Sequence, residues 1–207
     1  MSAWSLQLWT SADNLGKPAA QLVPSPASLA QFEEAMMFLA GSNLSHLGFV
    51  VIGIGALSTD AARRALRVFS ERDLSSRVYF AVDAAELERL DFGAVDNSRA
   101  GLLIEGVESS TPLSVLANES VEVVRFDDRY VTQAMDHLRS ACVLDAMLGL
   151  VRDLGLCSLG LDLRYQGGSL RRHPSFDYVS RSSSPPVRKV SEPLPLFEDT
   201  SGHAQLI

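Results

Sequence analysis

The chain has 207 residues, of which 46% are apolar and 21% charged, and its 18 basic and 25 acidic side chains give a formal net charge of −7. That length suits one domain, with or without a tail, and the apolar share excludes a wholly disordered chain. The acidic balance offers phosphate backbones no long-range attraction, so nucleic acid is not an expected partner. Met1-Ser-Ala-Trp4 is not a basic segment leading into an apolar one, so no signal peptide is expected. The longest apolar run, Leu47–Leu57, falls short of the ~20 residues that cross a bilayer and reads instead as a strand buried on both faces. The expectation is a cytoplasmic protein without membrane contact.

Trp4–Trp9 reads as a first strand whose two tryptophans have opposite parity, one in the core and one at its rim. Ser28–Leu39 repeats Leu29, Phe32, Met36 and Leu39 at helical spacing. Phe49–Ile54 is a strand-like run leading through Gly53-x-Gly55 into a helix over Asp60–Phe69. That helix turns Ala62, Leu66 and Phe69 inward, takes Thr59 or Asp60 as its cap, and leaves Arg63, Arg64, Arg67 and Arg72 on the wet face. Val78–Val82, Gly101–Ile104 and Val121–Phe126 are further strands. Val131–Leu154 predicts one long helix with Leu138, Ala141, Leu144, Leu148 and Val151 along one stripe and Gly155 as its stop.

Near-continuous apolar strands alternating with helices predict an α/β domain on a largely parallel sheet, either a closed barrel or an open doubly wound sheet. Residues 1–179 make that domain. Ser182–Pro186, Pro193 and Pro195 predict a flexible Ser/Pro-rich tail over 180–207, with Leu194-Pro-Leu-Phe197 as a segment able to dock on a surface.

Two groups of residues are candidates for chemistry. Gly53 and Gly55, between a strand and a helix, are placed to let a pyrophosphate approach the backbone, with Asp83 at the end of the next strand as a ribose-binding acid. Ser58 stands where a third glycine belongs, and Asp83 lies well past the usual spacing of about 20 residues. A Rossmann-like nucleotide-dependent enzyme is therefore only an alternative. Glu105, Glu108, Asp127 and Asp128 follow strands, and in a parallel barrel such side chains share the chemically active face. There they could gather Mg²⁺ or Mn²⁺; the same acids serve equally to cap helices or to face solvent.

Cys142 and Cys157 form no C-x-x-C, which excludes a disulfide framework and a structural zinc site, and they read as two buried thiols in a reducing compartment. His46, His137, His173 and His203 are dispersed, and Arg164, Arg171 and Arg172 with His173 read as a solvated basic loop near Gln166.

Val121-Glu-Val-Val-Arg-Phe-Asp-Asp-Arg-Tyr-Val131 resembles the V-D-x-(I/V)-K-I-D-R-S-F-V segment of EAL domains, the cyclic di-GMP phosphodiesterase barrels. Leu102–Leu116 is similar to the family's A-L-D-D-F-G-x-G-x-S-S-L-S-x-L, and Leu159–Pro174 to its closing L-G-x-D-x-x-Q-G-Y-x-x-x-R-P. The resemblance covers about residues 47–178, and its departures concern the ligands. The E-A-L after the second strand has no counterpart. The asparagine ending strand three falls near Gly53, while Asn43-Leu-Ser45 looks like that motif but follows no strand. The strand-four glutamate falls on Ala81, the paired aspartates on Ile104 and Glu105, and the lysine on Arg125. Asp127 matches, the A-E-G-V-E segment is lost between Gly155 and Leu159, and Gln166 fits the terminal glutamine if one extra residue is allowed.

Of the side chains with which the family holds two divalent ions, the resemblance leaves Glu105, Asp127 and Gln166, too few for two near-octahedral shells. Arg125 also brings a bulky, permanently charged fork in place of an ammonium. The resemblance thus implies a shortened or incomplete EAL-like TIM-type barrel without catalysis, metal or cofactor. It would be a regulatory protein of bacterial signalling that acts through an unknown protein partner. The alternative it implies is a cyclic di-GMP receptor without hydrolysis, weakly binding through a remnant site of Glu105, Arg125, Asp127 and Gln166. A ring short of a strand has open edges, which makes a homodimer the expected cover.

Overall fold

In the computed structural model of the protein the described residues are 4–11, 16–70, 77–87, 100–162 and 175–181. The basic cluster, Arg72, Gln166, His203 and all of the expected tail beyond Arg181 lie outside them.

Eight strands close into one barrel in chain order: β1 (Ser5–Ser11), β2 (Ala19–Val23), β3 (Phe49–Gly53), β4 (Arg77–Asp83), β5 (Ala100–Val107), β6 (Val121–Phe126), β7 (Cys157–Asp162) and β8 (Tyr178–Arg181). All neighbours from β2 to β8 pair in parallel, while β1 runs antiparallel to both β2 and β8. Thr10 and Ser11 opposite Val179 and Tyr178 complete the ring. That closure corrects two expectations. An open sheet with a nucleotide crevice at Gly53 does not exist, and no described strand is left as an edge for a second copy to cover. Ser180 and Arg181, assigned by composition to the tail, belong to the closing strand.

The apolar pattern sorts into two layers. Trp9, Ala19, Phe49, Val51, Tyr79, Ala81, Leu103, Val123 and Leu159, with Cys157 and Tyr178 beside them, draw on all eight strands and fill the barrel. Alternate residues such as Leu22, Val50, Ile52, Phe80, Leu102 and Phe126 point outward into a second cluster with the helices. Because both faces are covered, β3 is buried at every position, which explains its unbroken apolar run.

The outer layer holds α1 (Leu29–Ala40), α2 (Thr59–Ser70), α3 (Ala84–Leu87), α4 (Leu113–Leu116), α5 (Asp128–Asp136) and α6 (Leu138–Asp153). α1 buries Phe32, Ala35, Met36 and Leu39 and is capped by Ser28, whose side chain accepts from Gln31 N. At α2 the cap is Ser58, whose Oγ accepts from Ala61 N at 3.3 Å, rather than Thr59 or Asp60. Arg63, Arg64 and Arg67 are exposed, as their spacing implied.

The long helix expected over 131–154 is two helices. His137 is extended, with φ −130° and ψ 118°, and this resets the helical phase. Leu144, Met147, Leu148 and Val151 set the buried face of α6, so Leu138 turns outward instead of continuing the stripe. α6 stops at Gly155, whose φ of 72° is glycine territory. Gly155 N donates to Arg152 O and Leu156 N to Val151 O, both at 2.9 Å, the paired bonds of a Schellman end.

Candidate functional site

β5 was expected to end at Ile104, with Glu105 beyond it; it continues to Val107. The register shifts before Val107 pairs with Phe126, and Gly106 absorbs the bulge with φ 70°. Glu105 is therefore held in the barrel wall near the carboxyl ends of the parallel strands, where barrels of this architecture carry out their chemistry.

Three side chains from three strands meet there. Arg125 Nη1, from β6, donates to Gln21 Oε1 of β2 and to Glu105 Oε1 of β5, both at 3.2 Å. Gln21 Nε2 donates to the same Glu105 oxygen at 3.4 Å. The guanidinium carbon lies 4.9 Å from the Trp9 ring centroid, and Nη2 approaches Asp128 Oδ2 at 3.9 Å. Arg125 thus spans the mouth, stacked over an aromatic floor with a carboxylate on either side. Its side chain is 25% exposed and that of Glu105 33%, so water reaches the pair without separating it. Among the described residues, Trp9 Nε1 and Asp128 Oδ1 are buried without a hydrogen-bond partner, and both belong to side chains touching the guanidinium.

The remaining expected site residues do not join this group. Asp127 caps α5, its Oδ1 accepting from Arg129 N and Tyr130 N at 2.9 Å each. Glu108 is exposed in the following turn, where its backbone N donates to Thr111 Oγ1. Gln166 lies outside the described residues. The two glycines of the other candidate serve packing. A Cβ on Gly53 would collide with the Ser25 side chain, and one on Gly55 would come within 2.9 Å of Glu86 Oε2.

This donor set does not fit Mg²⁺ or Mn²⁺. Glu105 is engaged by a cation and an amide, Asp127 by backbone N–H groups, and a divalent ion would meet the fixed charge of Arg125. Among the described residues no three His, Cys, Asp or Glu side chains come together as ligands.

The opposite end of the barrel carries a separate polar pair. Arg77 forms an ion pair with Glu122, and Tyr79 Oη donates to Glu122 Oε2 at 3.1 Å. Burial and the neighbouring carboxylate push the Tyr79 phenol far up. Cys142 is exposed, against expectation, because the break at His137 leaves it on the outer face of α6. Cys157 is half-buried, and its thiol is pushed up to about 12, first by burial and then by Asp177.

No protein-family model and no curated protein sequence matches the chain. Solved structures do. The EAL domain of Mycobacterium smegmatis DcpA superposes with a TM-score of 0.60 over 86% of this chain and 89% of that one, at 13% identity. The chain has the EAL-domain fold. The Pseudomonas aeruginosa FimX EAL domain, solved bound to c-di-GMP, matches with a TM-score of 0.56 at 12% identity, over 86% of this chain and 88% of that one. The Xanthomonas citri FimX EAL domain, in complex with c-diGMP, gives 0.53 at 17% identity, over 86% and 85%.

Within this EAL-type barrel, sequence reasoning missed Gln21 and the stacking of Trp9. β2 is short and alanine-rich between Pro18 and Pro24, so it gave no strand signal. Its alternation would have shown Gln21 as a polar residue facing inward once the strand was known.

Proposed function

We propose that this chain is a degenerate EAL-type domain that works without catalysis, as a regulatory component of cyclic di-GMP signalling acting through contacts with another protein. The observation that carries the reading is the mouth of the barrel, where Arg125, Glu105 and Gln21 satisfy one another over Trp9. Activating a water on a phosphodiester takes carboxylates free to hold an ion. Here Glu105, the carboxylate that Arg125 holds at 3.2 Å, is neutralised internally. A cytoplasmic setting belongs to the same proposal, and is supported by the finding that no described helix is long and apolar enough to cross a membrane. So does the division into a domain over 1–179 and a tail beyond it, adjusted for a barrel that ends at Arg181.

A second reading is a receptor that binds cyclic di-GMP without cleaving it. It is favoured by one observation, a guanidinium at the barrel mouth able to exchange a carboxylate for a phosphate. Of the remnant set, Arg125 and Glu105 would then meet the ligand.

Isothermal titration of the whole chain with cyclic di-GMP, with and without Mg²⁺ or Mn²⁺, followed by chromatography for hydrolysed product, tests both. The expected result is no product under any condition. Heat without product, abolished by Arg125→Ala, would transfer the function to the receptor reading. Product with either metal would overturn the non-catalytic reading altogether.

A further inference from the structure

The outer wall of the ring is covered unevenly. Helices follow β2, β3, β4, β5 and β6, and the outward residues Val50 and Ile52 of β3 are 0% exposed. Among the described residues no helix follows β1 or β8. Trp9 of β1 points into the barrel, so Leu8 and Leu6 point outward, and Trp4 precedes them in the same phase. These three side chains rest on the outer cluster yet are only half-buried, a strip of apolar groups about 7 Å apart that solvent still reaches.

The path of the chain says what covers this strip. β8 pairs with β1 through Thr10–Val179 and Ser11–Tyr178, and the same antiparallel register sets Arg181 beside Leu8. The chain therefore leaves the ring heading towards Leu6 and Trp4, with 26 residues still to follow. They cannot add a strand here, because β1 is already paired on both edges, with β2 and β8. They can lie on its face. Leu194-Pro-Leu-Phe197 gathers three large apolar side chains, and Pro193 and Pro195 favour an extended backbone, which lowers the entropy lost on docking. An extended backbone sets Leu194 and Leu196 on one side, at the spacing of Leu6 and Leu8.

We propose that Leu194–Phe197 docks on the outer face of β1 and covers Trp4, Leu6 and Leu8, an intramolecular clasp on the wall that no described helix follows. The 12 residues between Arg181 and Leu194 reach about 20 Å on average, and the strip lies within about 15 Å of the exit beside Leu8. A tether of that length gives the segment a millimolar effective concentration, so a contact too small to hold a separate peptide is enough. The inference is independent of how the barrel mouth is read.

Trp4 reports on the clasp. The chain has two tryptophans and Trp9 is 1% exposed, so acrylamide quenching of the full chain reads Trp4. Leu194→Asp/Leu196→Asp should raise the quenching constant about twofold and shift the emission to the red, with the far-ultraviolet circular dichroism unchanged. The native value should not vary with protein concentration, as a contact within one chain requires. In a Cys142→Ser background, Leu6→Cys/Leu196→Cys should close a disulfide under mild oxidation about tenfold faster than Leu6→Cys/Ala204→Cys, whose second thiol lies on the same tail outside the clasp. Peptide mapping identifies the bridge. Native-like quenching in the Leu194→Asp/Leu196→Asp variant, or equal rates for the two cysteine pairs, would overturn the proposal. So would shielding of Trp4 that grows with concentration, which would make a second copy the cover.

Discussion

Replacing Arg125 with alanine removes the group that neutralises the barrel mouth. The side chain makes two hydrogen bonds of 3.2 Å, one of them to an ionised carboxylate, and stacks 4.9 Å from the centroid of Trp9. A charge-assisted hydrogen bond is worth ~1.5–3 kcal/mol and a neutral one ~1, while a cation–π contact adds ~0.5–2. Solvent reaches a quarter of Arg125 and a third of Glu105, which brings the pair toward the lower figures. The expected loss is therefore ~2–3 kcal/mol, or a fall in Tm of about 5–10 °C for a chain of this size. Urea unfolding followed by circular dichroism would measure it. Arg125→Ala combined with Glu105→Ala should show a coupling of ~1–2 kcal/mol. If Arg125→Ala changes stability by less than ~0.5 kcal/mol, or if the two losses add without coupling, the mouth is not held by this pair and the argument from internal neutralisation fails.

Freed from Arg125, Glu105 and Asp128 lose their counter-charge, so Mn²⁺ should raise the Tm of Arg125→Ala more than that of the native chain, as a thermal-shift titration would show. Asp127→Ala removes two capping bonds from α5 and should cost ~1–2 kcal/mol, while Asp127→Asn should keep most of that, as read by urea denaturation. Gly160→Ala places a methyl group against the Phe176 ring and should cost ~1–3 kcal/mol in the same assay. Because the folded thiol of Cys157 is raised from 9.0 to about 12, the unfolded chain ionises first. Its contribution is complete below pH ~9 and is lost as pH climbs towards ~12, so Cys157→Ala should flatten the fall in stability over that window. A thiol reagent near neutral pH should label Cys142 in the folded chain and Cys157 only after unfolding, which mass spectrometry of the labelled peptides would resolve.

Local chemistry alone determined a good part of this protein. The alternation of apolar runs with amphipathic segments specified α/β layers, because a strand covered on both faces must be apolar throughout, as β3 is. The helix from Ser28 and the stop at Gly155 were legible because a cap and a left-handed glycine act within one turn of chain. The break at His137 was not, since Val131–Leu154 reads as continuous and only packing against the barrel decides which face each half must present. β2 and β8 are short, and a few residues carry no period; their identity as strands depends on neighbours far along the chain. The candidate site divides in the same way. Glu105 could be singled out as an acid following an apolar run, and Arg125 through the resemblance of Val121–Val131 to the EAL segment. That Gln21 and Trp9 complete their surroundings rests on ring closure, which sets β1 and β2 across the mouth from β6. Closure is a property of the whole ring, because the last strand must meet the first before any residue has its partner across the barrel.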